Sequence, residues 1–351
     1  MRRRRLPGTE LLVSEVGFGL WSVEPSWWGT SATAQIERLV QKAFDCGITL
    51  FDTADVVGKG LAENILGRAL SGHRWELTLA TKGGYEFTGS TALGPGAASA
   101  ASPDTAQGEE RIGSPQQDWW PESLRRSCEA SLRRLATETI DLYQLHHPGF
   151  EILEREEVWQ TLARLKKEGK IREYGVSLGT ASEGSLEEGA RKAIAREGNR
   201  SLQLRCSILE QEPARSIAPE AERQGCALLV REPHAFGLLD GPSAGALRES
   251  ETELRGGSEP RRLEEGKIEK AKQELEALRF LEEGRSRNQA AILFALAQPA
   301  VAAVLPWISS SAEIDEFAAA SDLAPLSREE LDRIEDLWQS RLSRLELWKM
   351  G

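Results

Sequence analysis

Eight short apolar runs recur along the chain, separated by stretches of helical period. The runs cover residues 13–19, 48–52, 77–82, 140–146, 174–178, 202–206, 227–230 and 301–305. Each is apolar without alternation, as a strand covered on both faces must be. Between them, Ile36, Leu39, Val40, Ala43 and Phe44 share one helical face. Leu124, Cys128, Leu132 and Leu135 do the same, and so do Val158, Leu162 and Leu165. Pro121 suits a first helical turn, and Ser327 with Glu330 has the spacing of a capping box. Eight strands joined by helical crossovers predict a parallel sheet closed into a (β/α)8 TIM barrel, one domain over residues 1–351. A doubly wound open sheet is the alternative. It needs a Gly-x-Gly-x-x-Gly after the first strand, and the Gly17–Gly19 pair stops short of that pattern.

Two segments break the alternation. Residues 86–118 are dense in Gly, Ala, Ser and Pro, and residues 241–261 in Gly, Ser and Glu. They follow the third and seventh strands, where long loops act as lids or disordered inserts. The composition of the first predicts disorder.

Charge narrows the partners. The formal net charge of −11 provides no basic face for nucleic acid. The run Arg2-Arg3-Arg4-Arg5 reads as a solvated terminus. Pro7, Gly8, Thr9 and Glu10 interrupt any secretory apolar run behind it, and no stretch is long and apolar enough to span a bilayer. Cys46, Cys128, Cys206 and Cys226 lack metal-type spacing. They read as reduced thiols of a cytoplasmic protein, and no metal is expected.

The chemistry of such a barrel sits at the carboxyl ends of its strands. Asp52, Lys82 and His146 end three consecutive apolar runs. A carboxylate, an amine and an imidazole in one barrel mouth can form a charge pair and tune a proton donor. Read singly, each is equally a buried structural residue. Together on consecutive strand ends they read as a site.

Several stretches resemble the signatures of the aldo-keto reductase family. They are Phe51-Asp52-Thr53-Ala54-Asp55, Ala80-Thr81-Lys82, Ile140-Asp141-Leu142-Tyr143-Gln144-Leu145-His146 and Gly169-Lys170-Ile171-Arg172-Glu173-Tyr174-Gly175-Val176-Ser177. Gln298-Pro299-Ala300-Val301 leading to Leu305-Pro306 is similar to the family's last strand. The resemblance runs in order over nearly the whole chain. It implies hydride transfer between NADP(H) and a carbonyl or alcohol substrate, with Asp52, Lys82 and His146 at three of four catalytic positions. In the family the fourth, a Tyr, protonates the carbonyl oxygen. The Lys–Asp pair lowers its pKa and the His orients the substrate.

The sequence departs from that pattern at the fourth position. Val57 stands where the family has its Tyr. General acid catalysis contributes roughly 10²–10⁴ in rate, so its loss cripples ordinary carbonyl reduction. Tyr85, three residues past Lys82, stands at a position that is commonly not catalytic in the family.

Cofactor positions change too. Leu20 replaces a Thr, and Leu178 replaces the Asn that binds the nicotinamide amide beside Ser177. Cys206 stands where the resemblance places a stacking Tyr, three residues after Gln203. Trp307 takes the place of a glycine beside the phosphates, and Phe317 that of an adenine-binding Asn. Ser177, Gln203 and Glu316 still match, and Ser309 and Ser310 at a helix start are candidate anion ligands. Trp21, Trp27, Trp28, Trp119 and Trp120 flank the same mouth. They read either as ordinary loop packing or as the wall of a pocket for an apolar or aromatic small molecule.

Three functions follow. The first is an NADP-dependent oxidoreductase. The second is a redox-neutral enzyme reusing Asp52, Lys82 and His146. The third is a catalytically inactive barrel that binds a ligand or partner. The changed cofactor positions predict weak or absent NADPH binding.

Overall fold

The computed structural model describes residues 1–23, 32–86, 116–179, 186–235, 237–240 and 265–345. The predicted inserts at 86–118 and 241–261 therefore lie outside the described residues, apart from their edges. At the edge of the first, Tyr85–Glu86 pairs antiparallel with Gln116–Gln117.

Eight parallel strands form the barrel: β1 (Phe18–Gly19), β2 (Leu50–Asp52), β3 (Thr78–Gly83), β4 (Ile140–His146), β5 (Ile171–Ser177), β6 (Asn199–Arg205), β7 (Ala227–Arg231) and β8 (Val301–Leu305). Each pairs with its neighbour in chain order. A parallel bridge from Val16 to Val304 closes the ring, with the Gly17 amide donating to the Val304 carbonyl at 2.9 Å. The sequence thus folds as the (β/α)8 barrel that its eight runs predicted.

The first run proves to be two elements. Arg3–Arg5 and Leu12–Ser14 form an antiparallel hairpin, and only Phe18–Gly19 enters the barrel. The hairpin's Leu6, Leu11 and Val13 join Leu50, Ala80, Leu142, Leu229 and Leu305 in the apolar filling of the barrel. The arginine run is largely exposed, as a solvated terminus should be, and is also a structural element. Arg2 and Arg4 donate to the buried Glu15 at 3.0 and 2.8 Å, and Arg4 also donates to the Val301 carbonyl. Burial pushes the Glu15 carboxyl up. Hydrogen bonds from Arg4 and Ser321, with the charges of Arg4 and Arg2, outweigh this and hold it below its ordinary value.

The helices lie where their apolar faces required. Ile36, Leu39, Val40 and Ala43 are buried on helix Ala32–Asp45, Pro121 opens helix Pro121–Arg134, and Ser327 caps helix Arg328–Ser340 through a capping box with Glu330. No helix among the described residues is long and apolar enough to cross a membrane.

Candidate active site

Strand alternation builds the site. Successive residues point to opposite faces of a strand. Leu50, Ala80, Leu142 and Leu229 fill the barrel, whereas Phe51, Tyr143 and Val230 pack in the outer core. Two residues beyond each inward apolar side chain, the next inward positions are Asp52, Lys82, Gln144 and Arg231. Gln203 of β6 joins them. A polar layer therefore sits directly on the apolar filling, at the carboxyl ends of the strands, and all five of its side chains are buried.

Hydrogen bonds join most of this layer. Lys82 Nζ donates to Asp52 Oδ2 at 2.5 Å and to the Thr53 carbonyl at 2.9 Å. The other Asp52 oxygen accepts from Gln203 Nε2 at 3.0 Å and Gln144 Nε2 at 3.4 Å. Ser177 Oγ donates to Gln203 Oε1 at 3.0 Å. Burial pushes the Lys82 ammonium below its ordinary pKa. Asp52 opposes that shift and the Arg231 charge reinforces it.

His146 lies one inward step above Gln144 on β4, in register with Ser177 of β5. It is buried, and its ring meets those of Tyr85 at 5.4 Å and His147 at 4.3 Å. Val57 lies in the loop after β2, buried in the apolar core. Its side chain adds no polar group.

Arg231 is the functional candidate that sequence reasoning missed. It ends β7 as Asp52 ends β2, so the same strand-end rule finds it once the seventh run is extended by one residue. Its guanidinium donates to the Leu178 carbonyl at 2.6 Å, beside the Ser177–Gln203 pair. Cys206 lies in the loop past β6, with its sulfur facing the Gln211 carbonyl at 4.0 Å.

The residues around β8 that the resemblance assigns to NADP(H) have partners within the chain. The Ser309 and Ser310 amides and the Ser309 hydroxyl all donate to Glu313 Oε2, at 2.6, 3.0 and 3.0 Å. An internal carboxylate thus fills the helix start proposed as an anion site, and its charge repels a phosphate. Glu316 accepts from Ser286 Oγ at 2.5 Å, which caps the preceding helix. Phe317 is fully buried, 4.6 Å from the ring of His234. Gln203, a candidate cofactor-binding residue, has its amide bonded to Asp52 and Ser177.

The tryptophans divide. Trp21 meets Trp307 edge to face at 5.3 Å, and Ser22 Oγ, bonded to the Ile308 carbonyl at 2.7 Å, clasps the first and last loops together. Trp119 is buried against Gly84, whose φ of +126° and lack of a Cβ admit the indole. Trp120 is 66% exposed beneath the Arg155 guanidinium. Trp27 and Trp28 lie outside the described residues.

Comparison with known proteins agrees with the architecture. The "Aldo/keto reductase family" profile matches residues 15–339. The chain is 28% identical to "Uncharacterized oxidoreductase YqkF" of Bacillus subtilis, over 95% of this chain and 96% of that protein. The holo form of aldo-keto reductase AKR11C1 from Bacillus halodurans superposes with a TM-score of 0.73 at 29% identity, covering 96% of both chains. The glycerol dehydrogenase AKR11B4 from Gluconobacter oxydans gives a TM-score of 0.76 at 26% identity, covering 99% of both. The chain belongs to the aldo/keto reductase family of oxidoreductases.

Proposed function

We propose that the chain acts on a small carbonyl compound at the barrel mouth by proton transfer, with no nicotinamide taking part. The observation that carries this reading is the buried Lys82–Asp52 pair at 2.5 Å. A lysine with a lowered pKa releases and accepts a proton more readily near neutral pH. In its neutral form Lys82 takes the proton from the carbon next to the carbonyl and becomes the ammonium, and the C–H electron pair becomes a C=C bond. The carbonyl oxygen receives a proton from His146. Reversal of these transfers returns the substrate, and where the carbon that lost the proton bears a hydroxyl, protonation of the resulting enediol at the former carbonyl carbon, with loss of that hydroxyl's proton, gives its isomer. Asp52 balances the Lys82 charge, and Gln203 and Gln144 hold Asp52 in place. An apolar part of the substrate packs on the Trp21–Trp307 pair. Neither nucleic acid nor membrane has a role in this reading. The reaction belongs in the cytoplasm, where the four free cysteines stay reduced.

A second reading keeps NADP(H)-dependent oxidation and reduction. Whole-length similarity to a glycerol dehydrogenase favours it.

Deuterium incorporation into methyl pyruvate in D₂O, followed by NMR with and without NADPH, separates the readings. Exchange above the buffer rate, lost in Lys82→Met, supports proton transfer. NADPH oxidation without exchange overturns it in favour of the second reading. Neither activity leaves an inactive ligand-binding barrel.

A further inference from the structure

Gln117 has no part in the proton transfers, yet its one amide group reaches both aromatic neighbours of His146. It stands at the far edge of the insert that follows β3. There the Asp118 amide donates to the Gly84 carbonyl at 2.9 Å and Gln117 pairs with Tyr85, so this edge returns to the barrel mouth. Gln117 Nε2 carries two hydrogens. It donates to Tyr85 Oη at 3.1 Å and to the His147 carbonyl at 2.9 Å. Gln117 Oε1 accepts from Trp119 Nε1 at 3.4 Å. The rings of Tyr85 and His147 both meet the His146 ring, at 5.4 and 4.3 Å. His147 has a left-handed backbone, φ +57°, which a residue with a Cβ keeps where the surrounding structure fixes it. Its amide donates to the Ser177 carbonyl at 2.9 Å, so Ser177 and Gln117 hold its two peptide groups.

We propose that Gln117 is a positioning residue: by tying Tyr85 to His147 it fixes the His146 imidazole against both rings. A group that delivers a proton has to hold one orientation, because small misplacements cost large factors in rate. Tyr85 and Gln117 flank the insert, so its two ends bear on that orientation. The effect on turnover rests on the proton-transfer reading, whereas the placement of the ring does not.

Three variants of the full chain test this. Gln117→Glu keeps the shape of the side chain without its N–H donors, Gln117→Leu removes the polar atoms, and Gln117→Lys keeps donors. Gln117 is exposed, so all three should fold as the wild type does. The first readout is NMR of the His146 ring protons, assigned among the chain's four histidines by their loss in His146→Gln. The Tyr85 ring current should displace them in the wild type. That displacement should collapse in Gln117→Glu and Gln117→Leu and return in part in Gln117→Lys. The second readout is deuterium exchange into methyl pyruvate. There kcat should fall at least about tenfold in the first two variants while KM changes less than about twofold. His146 signals that stay in place in both donor-free variants overturn the inference, whatever the exchange rate. Displaced signals with an unchanged kcat overturn the effect on turnover. A wild type without exchange removes the proton-transfer reading instead, and the ring signals then decide the positioning by themselves.

Discussion

The Glu313 carboxylate accepts hydrogen bonds from both the amide and the hydroxyl of Ser309, at 2.6 and 3.0 Å. The start of helix Ser311–Ala320 is thus satisfied from within the chain. A phosphate arriving there meets a carboxylate of its own sign and has to displace it.

NADPH should consequently bind no more tightly than about 1 mM, roughly 4 kcal/mol. Trp21 and Trp307 are close enough to the site for tryptophan fluorescence to report occupancy. Saturable quenching near 1 µM NADPH would refute this expectation. Glu313→Ala should destabilise the fold by about 1 kcal/mol in urea, through loss of its capping box. With Phe317 and Trp307 still present, it should not restore micromolar binding.

Lys82→Met tests the central pair. The substitution leaves the buried Asp52 without its cation, and breaking such a pair costs about 3–5 kcal/mol. The double variant Asp52→Leu/Lys82→Met should recover much of that stability while remaining inactive. A single variant as stable as wild type in urea would show that the pair carries no charge.

Asp55 predicts a pH dependence. Burial, followed by the nearby Glu63 charge, pushes its carboxyl from an ordinary 3.8 up to about 7, against a hydrogen bond from Ser127. The folded state therefore binds the proton more tightly than the unfolded chain. This contribution to stability is complete below about pH 4 and is lost as the pH rises to about 7. Asp55→Asn should gain up to roughly 4 kcal/mol over wild type at pH 8, at about 1.4 kcal/mol per pH unit, and little near pH 4. Denaturation at both pH values checks the sign. Equal differences at pH 4 and pH 8 would exclude a buried protonated Asp55.

The barrel was legible because parallel strands covered on both faces leave continuous apolar runs, and all eight runs overlap a barrel strand. Asp52 and Lys82 were legible as polar residues ending such runs. Arg231 escaped because the seventh run was cut at its last apolar residue. Gln144 escaped because an uncharged side chain within a strand gives no signal until alternation fixes its face. The role of Glu313 needed coordinates, since an acid at the third helical position is ordinary capping until its other donors are seen. The hairpin role of the arginine run was likewise hidden. Its partner Glu15 is local in sequence, but the Val301 carbonyl is nearly 300 residues away.

The last prediction asks whether the missing tyrosine alone explains the departure from the family. Val57→Tyr returns a phenol to the position where the family resemblance places its proton donor. If loss of that acid were the sole lesion, the variant would reduce simple aldehydes with NADPH. We expect no such activity, for two reasons. Val57 is 1% exposed and packed in the apolar core, so a larger polar ring there forces its neighbours aside, at a cost of about 1–3 kcal/mol. Hydride transfer also needs the nicotinamide ring held against the carbonyl carbon, and small misplacements cost large factors in rate. Here Gln203 is turned to Asp52, Arg231 lies beside it on the Leu178 carbonyl, and Glu313 fills the anion position. A proton donor without a positioned hydride donor accomplishes little. The measurement is loss of NADPH absorbance with 4-nitrobenzaldehyde, for folded Val57→Tyr against its parent. Clear turnover in that single variant would show that NADPH finds a productive seat despite Glu313 and Phe317, and would return the chain to the reductases.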